Sequence, residues 1–275
     1  ITGNRPADGG HLIIENEDYE EFLLKEPSAR PYVKRLVGST EFINNKKRWC
    51  LWLVGISPSE LRKMPMVLQR VEACKEDREK SPDAGRRKLA ETPTLFREIN
   101  NPVSFILVPK VSSEKRRYVP MGFLDNNTIS TDLNFIIPEA TMYHFAILTS
   151  NIHMAWMRAV CGRMKSDYRY SANIVYNNFP WPTPTEEQKQ KIEQTAQAIL
   201  DARALYPDSS LADLYDELTM PPELRKAHHQ NDIAVMQAYG FTKGSEAYKS
   251  EAACVAELMK RYEQLCTQQQ NTKEQ

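Results

Sequence analysis

An α+β fold, with short antiparallel strands mixed among helices over residues 1–182 and a small all-helical region after them, is what this sequence predicts. Three observations carry that reading. Short apolar runs bounded by Gly, Pro and Asn recur as far as Pro138, which is the pattern of strands. Between and after them, charged stretches bring apolar residues round every three or four positions, which is the period of helices. Beyond the run Pro180-Trp181-Pro182-Thr183-Pro184 only the helical period remains.

Taken in order, Gly3 to Gly10 is irregular, rich in Gly, Pro and Asp, and leads into a short strand at His11 to Ile14. Asp18 to Lys25 spaces Tyr19, Phe22 and Leu23 as a short amphipathic helix that Pro27 ends. Arg30, Lys34 and Arg35 then stand close enough to share a helical face, either as phosphate contacts or as a plain solvated surface. The aromatic run at Arg48 to Val54 is too short for a helix and reads as a buried strand. Met64 to Ala90 carries Val67, Leu68, Val71 and Cys74 at helical spacing, and Ser81-Pro82 divides it into two helices. Ser104 to Pro109 and Tyr118 to Phe123 are strands on either side of a basic loop, and Asn134 to Pro138 is another strand. Thr141 to Cys161 holds two helices with Phe145, Leu148, Ile152, Ala155, Trp156 and Ala159 inward, and Gly162 should stop the second. Trp181-Pro182-Thr183-Pro184 is a stiff hinge, because each proline fixes its own φ, so domains are expected at 1–182 and 183–267. Thr185 reads as an N-cap with Glu186 and Glu187 compensating the helix dipole. Further helices at Ser210 to Leu218, Pro222 to Tyr239 and Glu246 to Cys266 complete a bundle, and the Gln-rich tail over 268–275 is expected to be disordered.

Length and composition narrow the class. At 275 residues, 41% hydrophobic and 26% charged, the chain can bury a sizeable core as one large or two moderate domains. No apolar run nears the roughly 20 residues that span a bilayer, and no charged-then-apolar leader opens the sequence, so a cytoplasmic protein without a membrane partner is expected. The five cysteines are scattered and never spaced as CxxC, which points to reduced thiols and away from zinc or a disulfide framework. His144, His153 and the pair His228-His229 lack companions at ligand spacing and read as structural. The formal net charge is zero, yet 26 Lys and Arg stand against 21 Asp and Glu up to Pro182 and 10 against 15 beyond it. That division either sets a basic, DNA-facing domain against an acidic one that faces elsewhere, or is accidental.

The stretch Gly162 to Pro182, GRMKSDYRYSANIVYNNFPWP, gathers charged, aromatic and amide side chains and ends in prolines. Lys165, Asp167 and Arg169 alternate with Tyr168 and Tyr170, so an extended chain puts the three charged groups on one face and the tyrosines on the other. A cation donating to guanine O6 and N7 beside a carboxylate accepting from cytosine N4 is how a base-pair edge is read. A solvated edge strand guarded by charge uses the same residue types. Lys110, Ser113, Lys115, Arg116 and Arg117, held between two strands, suit phosphate oxygens, as does Arg163 at a strand end.

The same stretch resembles the corresponding part of MmeI-like restriction-modification enzymes of the type IIG/IIL class. So do, in order, GNRPADGGHLII from Gly3, GSTEFI from Gly38, RWCLWL from Arg48, ILVPKVSSEKRRYVPMGF from Ile106 and LADLYDELTMPPELRKAH from Leu211. The resemblance spans nearly the whole chain. It implies the target-recognition domain and helical C-terminal domain that follow the methyltransferase domain of such enzymes. By it, the partners are double-stranded DNA and an upstream methyltransferase domain of the same polypeptide, so that the chain is expected to start mid-protein. The longer enzyme would methylate adenine N6 using S-adenosylmethionine and would cut at a fixed distance with magnesium. The resemblance further implies that alternating positions of the matching loop set the last base pairs read. Lys165 and Asp167 are then expected to read one G·C pair, with Arg169 on the neighbouring step.

Catalysis is expected to lie outside this chain. A glycine-rich turn for S-adenosylmethionine is absent, and so is the Asn/Asp-Pro-Pro-aromatic loop that holds a flipped adenine. Glu187-Gln188-Lys189 mimics the Glu-x-Lys element of a magnesium nuclease but falls in the first turn of a helix. No cofactor is therefore expected here. Two other classes stay open: a protein-interaction module that docks a partner chain through the acidic bundle, and an enzyme of another kind, which convergent perturbed carboxylates in a tight pocket would reveal.

Overall fold

The apolar runs of the first third become strands in the computed structural model, which describes residues 1–273 and, from 269 on, the backbone alone. β1 (Ile13–Glu15) leads directly into α1 (Asn16–Lys25), whose Phe22 and Leu23 are buried. A 3-10 turn over Pro27–Tyr32 feeds β2 (Val33–Val37). Arg30, Lys34 and Arg35 therefore share no helical face: Pro27 and Pro31 keep the chain in the short turn, and the two later residues belong to a strand. Lys34 donates instead to the carbonyl of Asn126 at 2.6 Å. α2 (Ser39–Ile43) precedes β3 (Arg48–Leu51), which ends before its apolar run does. α3 (Pro58–Leu61) is followed by α4 (Pro65–Glu79) and α5 (Ala84–Lys88), which lie on either side of Ser81-Pro82 as expected. β4 (Ser104–Pro109), β5 (Val111–Ser112), β6 (Gly122–Asp125), β7 (Thr128–Ser130) and β8 (Asn134–Pro138) come next. The strand expected from Tyr118 begins only at Gly122, because Pro120 has no N–H for a ladder and Tyr118 turns inward.

Two units emerge. The first, Ile1–Leu107 with Phe123–Glu139, holds a sheet in the order β1-β3-β2-β7, antiparallel except between β2 and β7, and a second sheet in the order β6-β4-β8. Leu12, Ile14, Leu36, Leu51, Val67 and Cys74 form its main core. Fully buried Arg78 gives all five N–H donors to the carbonyls of Pro6, Ala7, Leu89, Thr92 and Leu95 at 2.7 to 3.0 Å. It thereby fastens the irregular entry segment, which has few ladder bonds of its own.

The second unit takes Val108–Gly122 and everything from Ala140. Its helices are α6 (Met142–Leu148), α7 (Asn151–Val160), α8 (Glu186–Ala204), α9 (Leu211–Leu214), α10 (Pro222–Ala238), α11 (Glu246–Lys249) and α12 (Glu251–Lys273). Between α7 and α8 come β9 (Gly162–Met164), β10 (Asp167–Arg169) and a π-type turn over Ala172–Tyr176. α7 stops just before Gly162, as expected, with Cys161 in extended backbone, and Gly162 opens a strand. The hydroxyl of Thr185 accepts from the N–H of Gln188 and the Gln188 side chain returns the bond, a capping box that fixes the start of α8. The helix expected at 210–218 is the single turn of α9, and the one expected at 246–266 breaks at the extended residue Ser250. The backbone of α12 runs to Lys273, and residues 274 and 275 of the tail expected to be disordered lie outside the described residues. α8 packs on both α6 and α10, so the proline-rich segment at 180–184 lies inside this unit. No helix among the described residues is long and apolar enough to cross a membrane.

Candidate nucleic-acid interface

β9 and β10 form a hairpin whose ladder pairs Asp167 with Met164, Tyr168 with Arg163 and Arg169 with Gly162. Residues directly opposite share a face, so Met164, Asp167 and Arg169 stand on one side and Arg163 and Tyr168 on the other. The far edge of β10 pairs with β5, Tyr168 opposite Ser112 and Arg169 opposite Val111. Lys165 and Ser166 make the turn, and Lys165 takes the left-handed backbone, φ 57°, that a two-residue hairpin loop demands. Lys165 therefore lies off the strand. The expectation of three charged groups on one extended face holds for Asp167 and Arg169, while Lys165 occupies the tip beside them. Met164, Lys165 and Arg169 are exposed and Asp167 is half-buried. Among the described residues no side-chain hydrogen bond or ion pair engages Lys165 or Arg169.

The back of the hairpin is sealed. Tyr168 and Tyr170 are both buried, as their alternation with the charged residues predicts. The Arg163 guanidinium lies 4.0 Å over the Tyr168 ring and donates to the Ser166 carbonyl at 2.9 Å, which stiffens the turn. The Tyr170 hydroxyl meets His153 Nε2 at 2.9 Å, inside the unit. Burial pushes the His153 pKa down to about 3, and its Nδ1 has no partner, so a second proton there would lack an acceptor. Trp156 Nε1 donates to the Val175 carbonyl at 3.0 Å and so holds the π-type turn against α7. That turn leaves Asn173, Ile174 and Asn177 exposed.

Beside the hairpin, the loop after β5 folds on its own serine. The carbonyl of Ser113 accepts from the Arg116 N–H at 3.1 Å, and its hydroxyl from the Lys115 N–H at 3.3 Å. The Glu114 N–H donates to Asp167 Oδ1 at 3.4 Å, and the Glu114 carboxylate lies 3.9 Å from Arg163, so loop and hairpin are tied together. Lys115 and Arg117 are exposed, and Arg116 is half-buried. Burial lowers the Arg116 pKa, against the attraction of Asp167 and Asp216. Lys110 sits at the base, where its carbonyl accepts from the Tyr170 N–H at 2.8 Å. A cleft of about 610 Å³ opens behind the loop, lined by Arg116, Asn151, Arg158, Tyr168, Lys249 and Glu251 among others. Arg158 grips Glu251 through two bonds of 2.8 Å and donates to the Arg117 carbonyl at 3.3 Å.

One carboxylate is raised by burial without being available for chemistry. Burial pushes Asp232 up to about 6, but Oδ2 accepts from the Tyr118 hydroxyl at 2.7 Å and Oδ1 from the Asn151 N–H at 2.8 Å, and the residue is 2% exposed. His228 is likewise buried with its pKa lowered by desolvation, and its Nε2 lies 2.8 Å from the Tyr215 hydroxyl. No group of three His, Cys, Asp or Glu among the described residues is placed to hold a metal.

Two family models together cover residues 1–269: the MmeI target recognition domain matches 1–183 and the MmeI C-terminal domain 184–269. The chain belongs to this MmeI family. It is 40% identical over 264 residues, 96% of its length, to DNA methyltransferase A of Bacillus subtilis (strain 168), and covers 30% of that protein. It matches a structure of the type IIL restriction-modification enzyme MmeI in complex with DNA at a TM-score of 0.92 and 46% identity, covering 97% of this chain and 35% of that one. The chain thus spans about a third of the length of these relatives.

In this MmeI-type fold the ladder β5-β10-β9 is what gathers the residues singled out in the sequence. It carries Arg163, Asp167 and Arg169 on its strands, Lys165 at its tip and Ser113, Lys115, Arg116 and Arg117 on the loop beyond β5, with Lys110 just before it. Sequence reasoning missed the backbone N–H of Glu114 on Asp167 and the bonds His153 to Tyr170, Arg158 to Glu251 and Tyr118 to Asp232. Those partners stand 17 to 114 residues apart, and no spacing signal marks them.

Proposed function

We propose that this chain reads the DNA sequence for a longer type IIG/IIL restriction-modification methyltransferase, with the β9–β10 hairpin entering the major groove of double-stranded DNA. The observation that carries this reading is a hairpin with Asp167 and Arg169 on its open face, Lys165 at its tip, buried tyrosines behind it and a cationic loop alongside. A two-stranded ribbon fits the major groove. Asp167 Oδ1 is occupied by the Glu114 N–H, which leaves Oδ2 to accept from cytosine N4 while Lys165 donates to guanine O6 and N7. Arg169 reads or braces the neighbouring step. Lys110, Ser113, Lys115, Arg116, Arg117 and Arg163 take phosphate oxygens, which set register without carrying sequence information.

In the same reading the remaining two thirds of the enzyme transfer a methyl group from S-adenosylmethionine to adenine N6 and cut with magnesium, in the cytoplasm. The residues of this chain fit neither group: it has no glycine-rich turn at a strand end, and Glu187 and Lys189 sit in the first turns of α8. The chain's part in the reaction is to place and orient the duplex.

The test uses the intact enzyme with Arg116 and Arg117 changed singly to Ala and binding measured across a salt series. Each change is expected to weaken all duplexes alike and to make the salt slope shallower by about one ion. A change in the methylated motif would overturn the phosphate role, and an affinity indifferent to salt in the unaltered enzyme would favour a protein-docking module instead.

A further inference from the structure

The residue directly across the ladder from Asp167 is Met164, and it is 50% exposed. A single exposed apolar side chain is ordinary on a protein surface. What distinguishes this one is its register. It stands on the open face of the hairpin with Asp167 and Arg169, while Gly162, across from Arg169, contributes no side chain there. The open face of β9 therefore offers one group, a thioether, beside the carboxylate of β10. The turn next to it is held by Arg163, whose guanidinium stacks on Tyr168 from the opposite face and donates to the Ser166 carbonyl.

Cβ atoms across an antiparallel ladder are about 4.5 to 5.5 Å apart, and successive base pairs are about 3.4 Å apart along the duplex. With Asp167 on cytosine N4, a cross-strand step of that length brings Met164 within reach of the edge of the adjoining base pair. The apolar feature that major-groove edges present is the C5-methyl group of thymine. An unbranched, polarisable side chain adapts well to such a contact. We infer that Met164 is a specificity-determining residue that selects a thymine beside the cytosine read by Asp167, by packing on its methyl group. This rests on the hairpin being the base-reading element.

The experiment compares the intact enzyme with its Met164→Ala, Met164→Glu and Asp167→Asn variants, sequencing the methylated sites of each. Binding is also measured to duplexes in which uracil replaces the thymine, a change that removes the methyl group alone. The unaltered enzyme should favour thymine over uracil about fourfold, the scale of one buried methylene. Met164→Ala should abolish that ratio and relax one position, the neighbour of the position altered by Asp167→Asn. If Asp167→Asn changes the motif while both Met164 variants keep it together with the thymine–uracil ratio, Met164 has no such role and the hairpin still reads bases. A natural motif with no thymine-containing pair next to the Asp167 position overturns the inference equally. If none of the variants changes the motif, the base-reading role of the hairpin falls as well.

Discussion

Acid should loosen the support of the β9–β10 hairpin through His153. This imidazole is fully buried beneath Tyr170, and burial pushes its pKa from the ordinary 6.5 down to about 3. The folded state thus binds the proton less readily than the unfolded chain does. The stability that His153 contributes as a neutral group is present in full above pH 6.5 and is lost as the pH falls from there toward 3. Well inside that window each pH unit is worth about 1.4 kcal/mol, and since the unfolded imidazole is already half protonated at pH 6.5, about 2 kcal/mol should go between pH 6.5 and 4.5. His228, buried with its pKa also lowered, adds loss of the same sign. Asp232 opposes both: its pKa is raised to about 6, so its ionisation costs stability above that value, and protonation returns it as the pH falls. The contribution of His153 is isolated by comparing urea unfolding of the intact protein with that of His153→Gln, whose amide can still meet the Tyr170 hydroxyl. The difference between the two should shrink by about 2 kcal/mol from pH 6.5 to 4.5, and the imidazole proton signals of His153 should not titrate near 6.5 while the protein is folded. A His153 that titrates near 6.5 in the folded state, or two unfolding curves that stay parallel across this range, would refute the reasoning.

Exchanging the tip and strand charges, Lys165→Asp together with Asp167→Arg, should reverse one G·C pair of the methylated motif to C·G, each mismatch costing about 1 to 3 kcal/mol; sequencing methylated sites decides it, and an unchanged motif, or one relaxed elsewhere, refutes it. Arg78→Met should destabilise the first unit by about 3 to 5 kcal/mol, because five carbonyls lose a charged donor in the core. Denaturant unfolding measures this, and a loss below about 1 kcal/mol would show that water or neighbouring N–H groups replace the guanidinium.

How much of this was legible in the sequence depends on how local the deciding interaction is. Thr185 and Gln188 form a capping box three residues apart, Ser81-Pro82 interrupts a helix, and the run Asn134–Pro138 becomes a strand with the bounds read from it. Each is settled by a residue's own backbone preference or by a near neighbour. The alternation from Asp167 to Tyr170 likewise reports faithfully which side chains are buried, because a strand has period two. Lys165 departs from that period for a reason the residues conceal: Lys-Ser lacks the Asn-Gly or Asp-Gly signature of a tight turn, and the left-handed backbone at Lys165 is imposed by the pairing of β9 with β10. Arg30, Lys34 and Arg35 mislead in the same way, since Val33–Val37 becomes a strand only by pairing with β3 and β7.

Tertiary structure alone decided which distant groups meet. Spacing marks Tyr118, His153 and Arg78 as ordinary members of apolar or charged stretches, yet each ends with a polar group inside a unit, bonded to Asp232, to Tyr170 or to five carbonyls. Periodicity records which side of an element faces inward and is silent about what waits there. A buried donor or acceptor must find a partner or forfeit its lost hydration, and that partner is supplied by whichever segment the packing brings alongside.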